Sequence, residues 1–189
     1  MILGLSPSTF TTLHVVVSLI GILSGALALY RRLNIRPSSI LNALFLASTL
    51  AGILTGFCFP SRQLGLGHFV GVASLLALAP ALMALYVHRL AGRWRWIYAG
   101  GAATALYFNL LIAVLQAFAK IEALRPLAPT PAAPPVMAML LAALASCLWL
   151  GARACRRPSA AIDREPAAVH IRAPRNRPRA GRRIWPLTG

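Results

Sequence analysis

Five uninterrupted apolar runs constrain this chain more than any other feature of its sequence. Each run holds at least 17 residues, and a helix rising about 1.5 Å per residue needs about 20 apolar residues to cross the hydrocarbon core of a bilayer. The mean hydropathy is +0.70 and only 12% of the residues are charged, which is about half the charged share of a soluble domain. The sequence therefore predicts an all-α membrane protein.

The runs predict one five-helix transmembrane bundle over residues 1–152. The predicted helices lie at about 12–30, 39–59, 67–88, 96–118 and 136–152. The fifth run is the shortest, because its 17 residues reach only about 25 Å as a helix. Pro134 and Pro135 suit its first turn, where helical N–H donors have no partner within the helix.

The basic residues are distributed unevenly between the two sides of such a bundle. With five spans, three of the 19 basic residues, Arg62, Lys120 and Arg125, share the side of the N-terminus, and the other sixteen lie opposite. Cytoplasmic loops carry an excess of Lys and Arg, so this bias predicts that the N-terminus lies outside and the C-terminus lies in the cytoplasm. Four spans would place ten tail arginines outside, and five spans are therefore favoured.

Residues 153–189 are predicted to form a disordered, Arg-rich cytoplasmic tail. They contain ten arginines and two carboxylates, and they show no apolar period. One interpretation is that the tail binds anionic lipid of the inner leaflet, and the other is that its arginines only fix the topology. Nonspecific RNA binding would rest on the same electrostatics, but no motif predicts specific nucleic-acid recognition.

Small residues form stripes along the first two predicted helices. Because lipid supplies no hydrophobic drive between helices, small residues mark the places where helices pack closely. The stripes consist of Ser18, Gly21, Gly25 and Ala28 on the first helix and Ser48, Gly52 and Gly56 on the second. These stripes predict close packing within one chain, and the alternative is a homo-oligomer formed through the first helix.

Strongly polar side chains within the spans define the candidate site, because each is costly in lipid. Helix direction places five of them in the outer part of the bundle: His14, Thr55, His68, Asn109 and Gln116. Asn109 and Gln116 are two helical turns apart and share a face. Residues 121–135 are rich in proline, and we expect them to form an ordered, extended segment over this cluster.

Two classes of interpretation remain open for these polar residues. Two histidines on different helices could ligate a b-type haem, hold a metal, or hydrogen-bond a quinone head group. The structural interpretation is that the histidines lie at the water interface and the two amides bond between helices. The three cysteines show no CxxC spacing and give no disulfide framework. We favour the structural interpretation and therefore predict neither a metal nor a resident cofactor, with haem and quinone as the alternatives.

No motif for nucleophilic catalysis, phosphate binding or dinucleotide binding occurs in the sequence, so no catalytic residue is predicted and we do not expect an enzyme. No carboxylate lies within a predicted span, which removes the usual carrier of a proton relay. The predicted function is a structural or accessory membrane component that contacts the lipid bilayer and either a membrane-protein partner or a second copy. The alternative is a redox-associated protein that binds a small ligand at the polar cluster.

Several segments are similar to a family of small multi-pass proteins of the bacterial inner membrane that has no assigned function. They are HVVVSLIGILSG (14–25), TGFCFP (55–60), HFVGVASL (68–75), WRWIY (94–98), ALYFNLLIAVLQAFAK (105–120) and LAPTPAAPP (127–135). The resemblance covers about residues 13–152, and the Arg-rich tail departs from it. It implies a small helical bundle in the bacterial cytoplasmic (inner) membrane, and it implies no activity or ligand.

Overall fold

The computed structural model describes residues 4–31, 40–59 and 65–155, and within these ranges it contains helices and no β-strand. The long helices are α1 (Pro7–Arg31), α2 (Ile40–Phe57), α3 (Leu66–Leu82), α4 (Trp94–Lys120) and α5 (Pro134–Cys155), and α3 continues as a π-helix over Met83–Val87. All five are long and apolar enough to cross a membrane, which confirms the prediction of an all-α protein with five candidate spans. The first three residues of the predicted disordered tail, 153–155, belong instead to the last turn of α5. The rest of that tail, from position 156 onward, lies outside the described residues.

Capping residues explain why α1 begins earlier than its apolar run. Oγ of Ser6 accepts a hydrogen bond from the backbone N–H of Thr9 at 3.2 Å, as an N-cap side chain does. Pro7 then occupies the first helical position, where a missing N–H donor costs nothing. The same preference for proline places the first turn of α5 at Pro134 and Pro135.

Helices α1 and α2 pack as an antiparallel pair along their small-residue stripes. A β-carbon at Gly25 would lie 2.5 Å from the Phe45 ring, and one at Gly52 would lie 3.4 Å from Oγ of Ser18. A β-carbon at Gly21 would lie 3.2 to 3.6 Å from atoms of α2. The two stripes therefore meet each other within one chain.

Helix α4 is the central helix of the bundle. It packs against α1, α3 and α5, and its alanines at positions 99, 102 and 105 are fully buried. A β-carbon at Gly101 would lie 2.6 Å from the backbone oxygen of Ala77 in α3. The absence of a side chain at Gly101 thus permits the close approach of α3 and α4.

The antiparallel packing gives the bundle two ends. At the Pro7 end, α1, α3 and α5 begin, and α2 and α4 end. At the Tyr30 end, α1, α3 and α5 end, and α2 and α4 begin. A large core lies between the helices, and a smaller one near the Pro7 end contains Val114, Phe118, Ala133 and Val136.

The connection between α3 and α4 is a tight turn at the Tyr30 end. The rings of His88 and Trp94 stack with their centroids 3.5 Å apart and their planes 5° apart. Between them, Arg89 (φ 48°), Leu90 (φ 62°) and Gly92 (φ 51°) have left-handed backbone conformations, which non-glycine residues rarely adopt. The stacked rings close this turn from both sides.

Aromatic side chains at the Tyr30 end fall into two groups. Tyr30, Tyr86, Trp96 and Trp149 are each at least half exposed, as an interfacial belt requires. Tyr98 differs, because only 1% of its surface is exposed and it packs in the large core. Tyr98 lies one turn into α4 and therefore belongs to the core and not to the belt.

Candidate functional site

His14 of α1 and Thr55 of α2 form a hydrogen-bonded pair near the Pro7 end. Nδ1 of His14 lies 2.8 Å from Oγ1 of Thr55. The same hydroxyl lies 2.7 Å from the backbone oxygen of Ala51 and 3.1 Å from that of Gly52. A carbonyl oxygen only accepts, so the Thr55 hydroxyl donates to the α2 backbone and accepts from Nδ1–H of His14. This arrangement leaves Nε2 of His14 as the acceptor nitrogen.

Phenylalanine rings pack beside the His14–Thr55 pair. The Phe59 ring makes an edge contact with the His14 ring at a centroid distance of 5.3 Å, and it makes a second edge contact with Phe10 at 5.1 Å. Phe10 is 1% exposed, so this aromatic group is packed within the bundle. His14 itself is half-buried. The pair therefore has an apolar wall on one side and partial access on the other.

Asn109 of α4 pairs with a different residue of α2. Its Nδ2 donates to Oγ1 of Thr49 at 3.1 Å, and Thr49 is 1% exposed. Thr49 precedes Thr55 by six residues, which is about 9 Å along α2. The structure therefore contains two separate polar pairs at different depths, and Asn109 belongs to the deeper one.

His68 and Gln116 are members of neither hydrogen-bonded pair. His68 is half-buried at the start of α3, and its ring centroid lies 5.8 Å from that of Phe57. Gln116 has an exposed side chain on α4. Of the five sequence-predicted residues, the structure joins only His14 and Thr55 directly to each other.

The connection between α4 and α5 packs against the helices at the Pro7 end. Leu124 and Ala128 contact the smaller core, and Nε of Arg125 donates to the backbone oxygen of Ala119 at 3.1 Å. The backbone forms turns and a short 3-10 helix at Arg125–Leu127. The sequence correctly predicts an ordered segment here, but it wrongly predicts an extended one, because the proline turns fold back on the ends of α4 and α5.

The chemistry available to the polar residues is narrow. Within residues 4–31, 40–59 and 65–155, no group of three or more His, Cys, Asp or Glu side chains could hold a metal ion. The two histidines that a haem would need contact different aromatic residues, Phe59 for His14 and Phe57 for His68. The best-placed single group is Nε2 of His14, which can accept one hydrogen bond or ligate one metal.

Sequence reasoning did not identify Thr49, Phe10 or Phe59 as neighbours of the polar side chains. The antiparallel pairing of α1 with α2 would have identified all three. In this register, residues whose numbers add up to about 70 face each other, as Gly25 and Phe45 do. Extending that register from the small-residue stripes toward the Pro7 end would have paired His14 with the Thr55 region. Thr49 would have emerged as the buried hydroxyl opposite Gly21.

Comparison with known proteins identifies no relative of this chain. No protein-family model matches the chain, and no curated protein and no solved structure matches it.

Proposed function

We propose that this chain is a structural or accessory component of a bacterial cytoplasmic membrane, with five spans and no catalytic activity of its own. The observation that carries the proposal is the pairing of polar side chains inside the bundle. His14 bonds to Thr55 and Asn109 bonds to Thr49, so groups that are costly in lipid stabilise contacts between helices. The outer faces of the helices expose apolar side chains to lipid or to a membrane-protein partner.

The proposed orientation places the Pro7 end outside and the Tyr30 end in the cytoplasm. Arg31, Arg89, Arg93, Arg95 and Arg153 belong to the Tyr30 end. The Pro7 end carries Lys120, Arg125 and the acidic Glu122. The described helix ends therefore carry more positive charge at the Tyr30 end, as the whole sequence does. By the positive-inside rule, this excess supports a cytoplasmic Tyr30 end.

Cysteine labelling tests the orientation with residues that the chain already has. Cys58 is exposed just after α2 at the Pro7 end, whereas Cys147 and Cys155 are buried. In a Cys147→Ser/Cys155→Ser background, a membrane-impermeant maleimide should label Cys58 in intact cells. The matched control replaces Cys58 with serine and introduces Ala91→Cys, an exposed position at the Tyr30 end, and it should react only after the membrane is permeabilised. The reverse pattern would overturn the orientation.

Native purification tests the accessory role. The tagged full-length protein is extracted from its membrane in mild detergent, and the mass of the complex is measured by light scattering. We expect either a defined co-purifying membrane protein or a homo-oligomer, with no stoichiometric small molecule. A monomer carrying one ligand per chain would contradict this proposal and support the second candidate.

A small-ligand site at His14 is the second candidate function. The observation that favours it is the contact between Nδ1 of His14 and Thr55, because a donating Nδ1 leaves Nε2 as the acceptor nitrogen, and Phe59 packs against the ring. A quinol hydroxyl could donate to Nε2, or the nitrogen could serve as one axial haem ligand. Haem would need a second ligand, and among the residues that the structure describes His68 is the other histidine at the Pro7 end.

An absorbance spectrum of the purified protein, oxidised and then reduced with dithionite, separates these outcomes. A Soret band that disappears in His14→Ala would identify a haem protein. If the spectrum shows no Soret band, solvent extraction and mass spectrometry test for a quinone. A quinone bound to the wild type and to a Thr12→Val control but absent from His14→Ala would identify a quinone site. A blank spectrum with no extracted ligand would leave the accessory role as the supported function.

A further inference from the structure

Arg153 lies over two aromatic rings in the groove where α1 and α5 end. Its Cζ atom lies 5.1 Å from the centroid of the Tyr30 ring and 4.9 Å from that of the Trp149 ring. The ring centroids are 6.5 Å apart and their planes are tilted by 34°. Trp149 precedes Arg153 by four residues, so both share one face of α5, and Tyr30 approaches from α1. The guanidinium is therefore held by both helices.

This cation has no negative partner among the described residues. Nε of Arg153 is buried and has no hydrogen-bond partner there. Glu122 is the one acidic residue in the described part of the chain, and it lies at the opposite end of the bundle. The other described charges near the Tyr30 end are the arginines at positions 89, 93 and 95. The groove thus combines a buried N–H donor with a surplus of positive charge.

The geometry leaves the guanidinium available for an anion of a particular shape. The aromatic rings attract the cation through its charge, and they supply no oxygen acceptor for its N–H donors. Two such parallel donors match two oxygens of a phosphate group. Tyr30 and Trp149 are each 52% exposed, and such half-exposed aromatic residues favour the head-group level of a bilayer.

We propose that the groove between α1 and α5 binds the phosphate of an anionic phospholipid, with Arg153 donating to the phosphate oxygens. Tyr30 and Trp149 hold the guanidinium in place, and their exposed faces contact the lipid. Basic pockets between transmembrane helices commonly bind anionic head groups in this way. The site lies in the folded bundle because Arg153 belongs to α5, and it is distinct from any lipid attraction exerted by the nine arginines from position 156 onward.

The chain itself offers one competing anion. Asp163 and Glu165 follow Arg153 by ten and twelve residues, and a carboxylate could bind the same fork. The Asp163→Asn/Glu165→Gln variant separates the two occupants, because it removes both carboxylates and leaves the groove unchanged. If lipid occupies the groove, this variant binds lipid as the wild type does.

The test is native mass spectrometry of delipidated full-length protein in neutral detergent, titrated with dioleoyl phosphatidylglycerol or dioleoyl phosphatidylcholine. We expect preferential binding of phosphatidylglycerol, weakened about tenfold or more by Arg153→Gln, because charge-assisted hydrogen bonds are lost. Arg93→Gln, an exposed arginine at the same end, is the matched control and should weaken binding about twofold or less. Arg153→Lys should give an intermediate loss, since an ammonium cannot form the fork.

Tyr30→Leu/Trp149→Leu keeps the charge and provides an independent variant, which should also bind phosphatidylglycerol less tightly. Circular dichroism and gel filtration confirm that each variant is folded. If Arg153→Gln and Arg93→Gln weaken the binding of phosphatidylglycerol equally, the lipid is attracted by the overall positive charge and not by a specific site, which would overturn the proposal. Equal binding of the two lipids, displacement of the lipid by excess inorganic phosphate, or tighter binding after loss of the tail carboxylates would overturn it as well.

Discussion

Nδ1 of His14 and Oγ1 of Thr55 lie 2.8 Å apart and join α1 to α2 near one end of the bundle. The threonine hydroxyl also donates to the backbone of its own helix, which favours the tautomer of His14 with its proton on Nδ1. This single contact connects the stability of the helix pair with the chemistry available at Nε2. It can therefore be probed both as a structural bond and as part of a candidate ligand site.

Removal of the Thr55 hydroxyl should destabilise the protein. Thr55→Val keeps the side-chain shape and leaves Nδ1 of the half-buried His14 without its acceptor, which should lower the free energy of unfolding by about 1 kcal/mol. Reversible unfolding in bicelles measures the change. Thr12→Val is the control, because Thr12 is exposed and bonds only to the backbone oxygen of Ser8 among the described residues. Equal effects of the two variants would contradict a specific role for the His14 contact.

The Asn109–Thr49 bond should appear as coupling in a double-mutant cycle. Asn109→Leu and Thr49→Val each remove one partner, and the coupling energy should be about 0.6 to 1.7 kcal/mol. Asn109→Leu combined with Thr55→Val should instead be additive within about 0.5 kcal/mol, since those residues share no contact. Coupling of Asn109 to Thr55 rather than to Thr49 would show that α4 has a different register against α2.

Adjacent glycines in α4 should respond oppositely to alanine. Gly101→Ala places a methyl group 2.6 Å from a backbone oxygen of α3, and it should cost about 2 kcal/mol because the backbone cannot yield as a flexible side chain can. Gly100→Ala meets no atom within 4 Å, and it should be neutral or stabilise by up to about 1 kcal/mol through helix propensity. Thermal unfolding of both variants in one detergent decides the matter. A tolerated alanine at position 101 would disprove the close approach of α3 and α4.

The left-handed backbone at Arg89 should be strained. Asparagine tolerates a positive φ better than arginine does, so Arg89→Asn should stabilise the protein by about 0.5 kcal/mol. Arg93→Asn is the control, because residue 93 has an ordinary φ of −68°, and it should not stabilise. Melting temperatures at matched salt concentration compare the two variants. Greater stability of the Arg93 variant would argue that charge rather than strain controls this turn.

The number of candidate spans could be predicted because the thickness of the hydrocarbon core sets the length of an apolar run. This requirement does not depend on which residues the side chains contact. Helix ends were harder, since they depend on caps and on neighbouring helices. Ser6 and Pro7 extend α1 beyond its apolar run, and α5 continues to Cys155. A hydropathy scale accounts for neither helix caps nor contacts with neighbouring helices.

The polar contacts were predicted only in part because helical periodicity identifies a face and does not identify its partner. Asn109 and Gln116 share a face by spacing, yet Asn109 reaches Thr49 on α2 and Gln116 is exposed. Stripe pairing between α1 and α2 was predictable, because small residues fit only where backbones approach closely.

The pairing of the helices also sets the order in which the protein can assemble during synthesis. The most extensive contacts join α1 with α2, α3 with α4, and α4 with α5, and each of these pairs is consecutive in the chain. Partners therefore become available almost as soon as each segment enters the membrane. Helix α1 is the exception, because its contacts with α4 and α5 form only after the last two helices have been made. Helix α1 is thus made before the other four and is the last of the five to complete its interface. The face of α1 that later contacts α4 and α5 stays uncovered longest, and a membrane chaperone could bind it during that time.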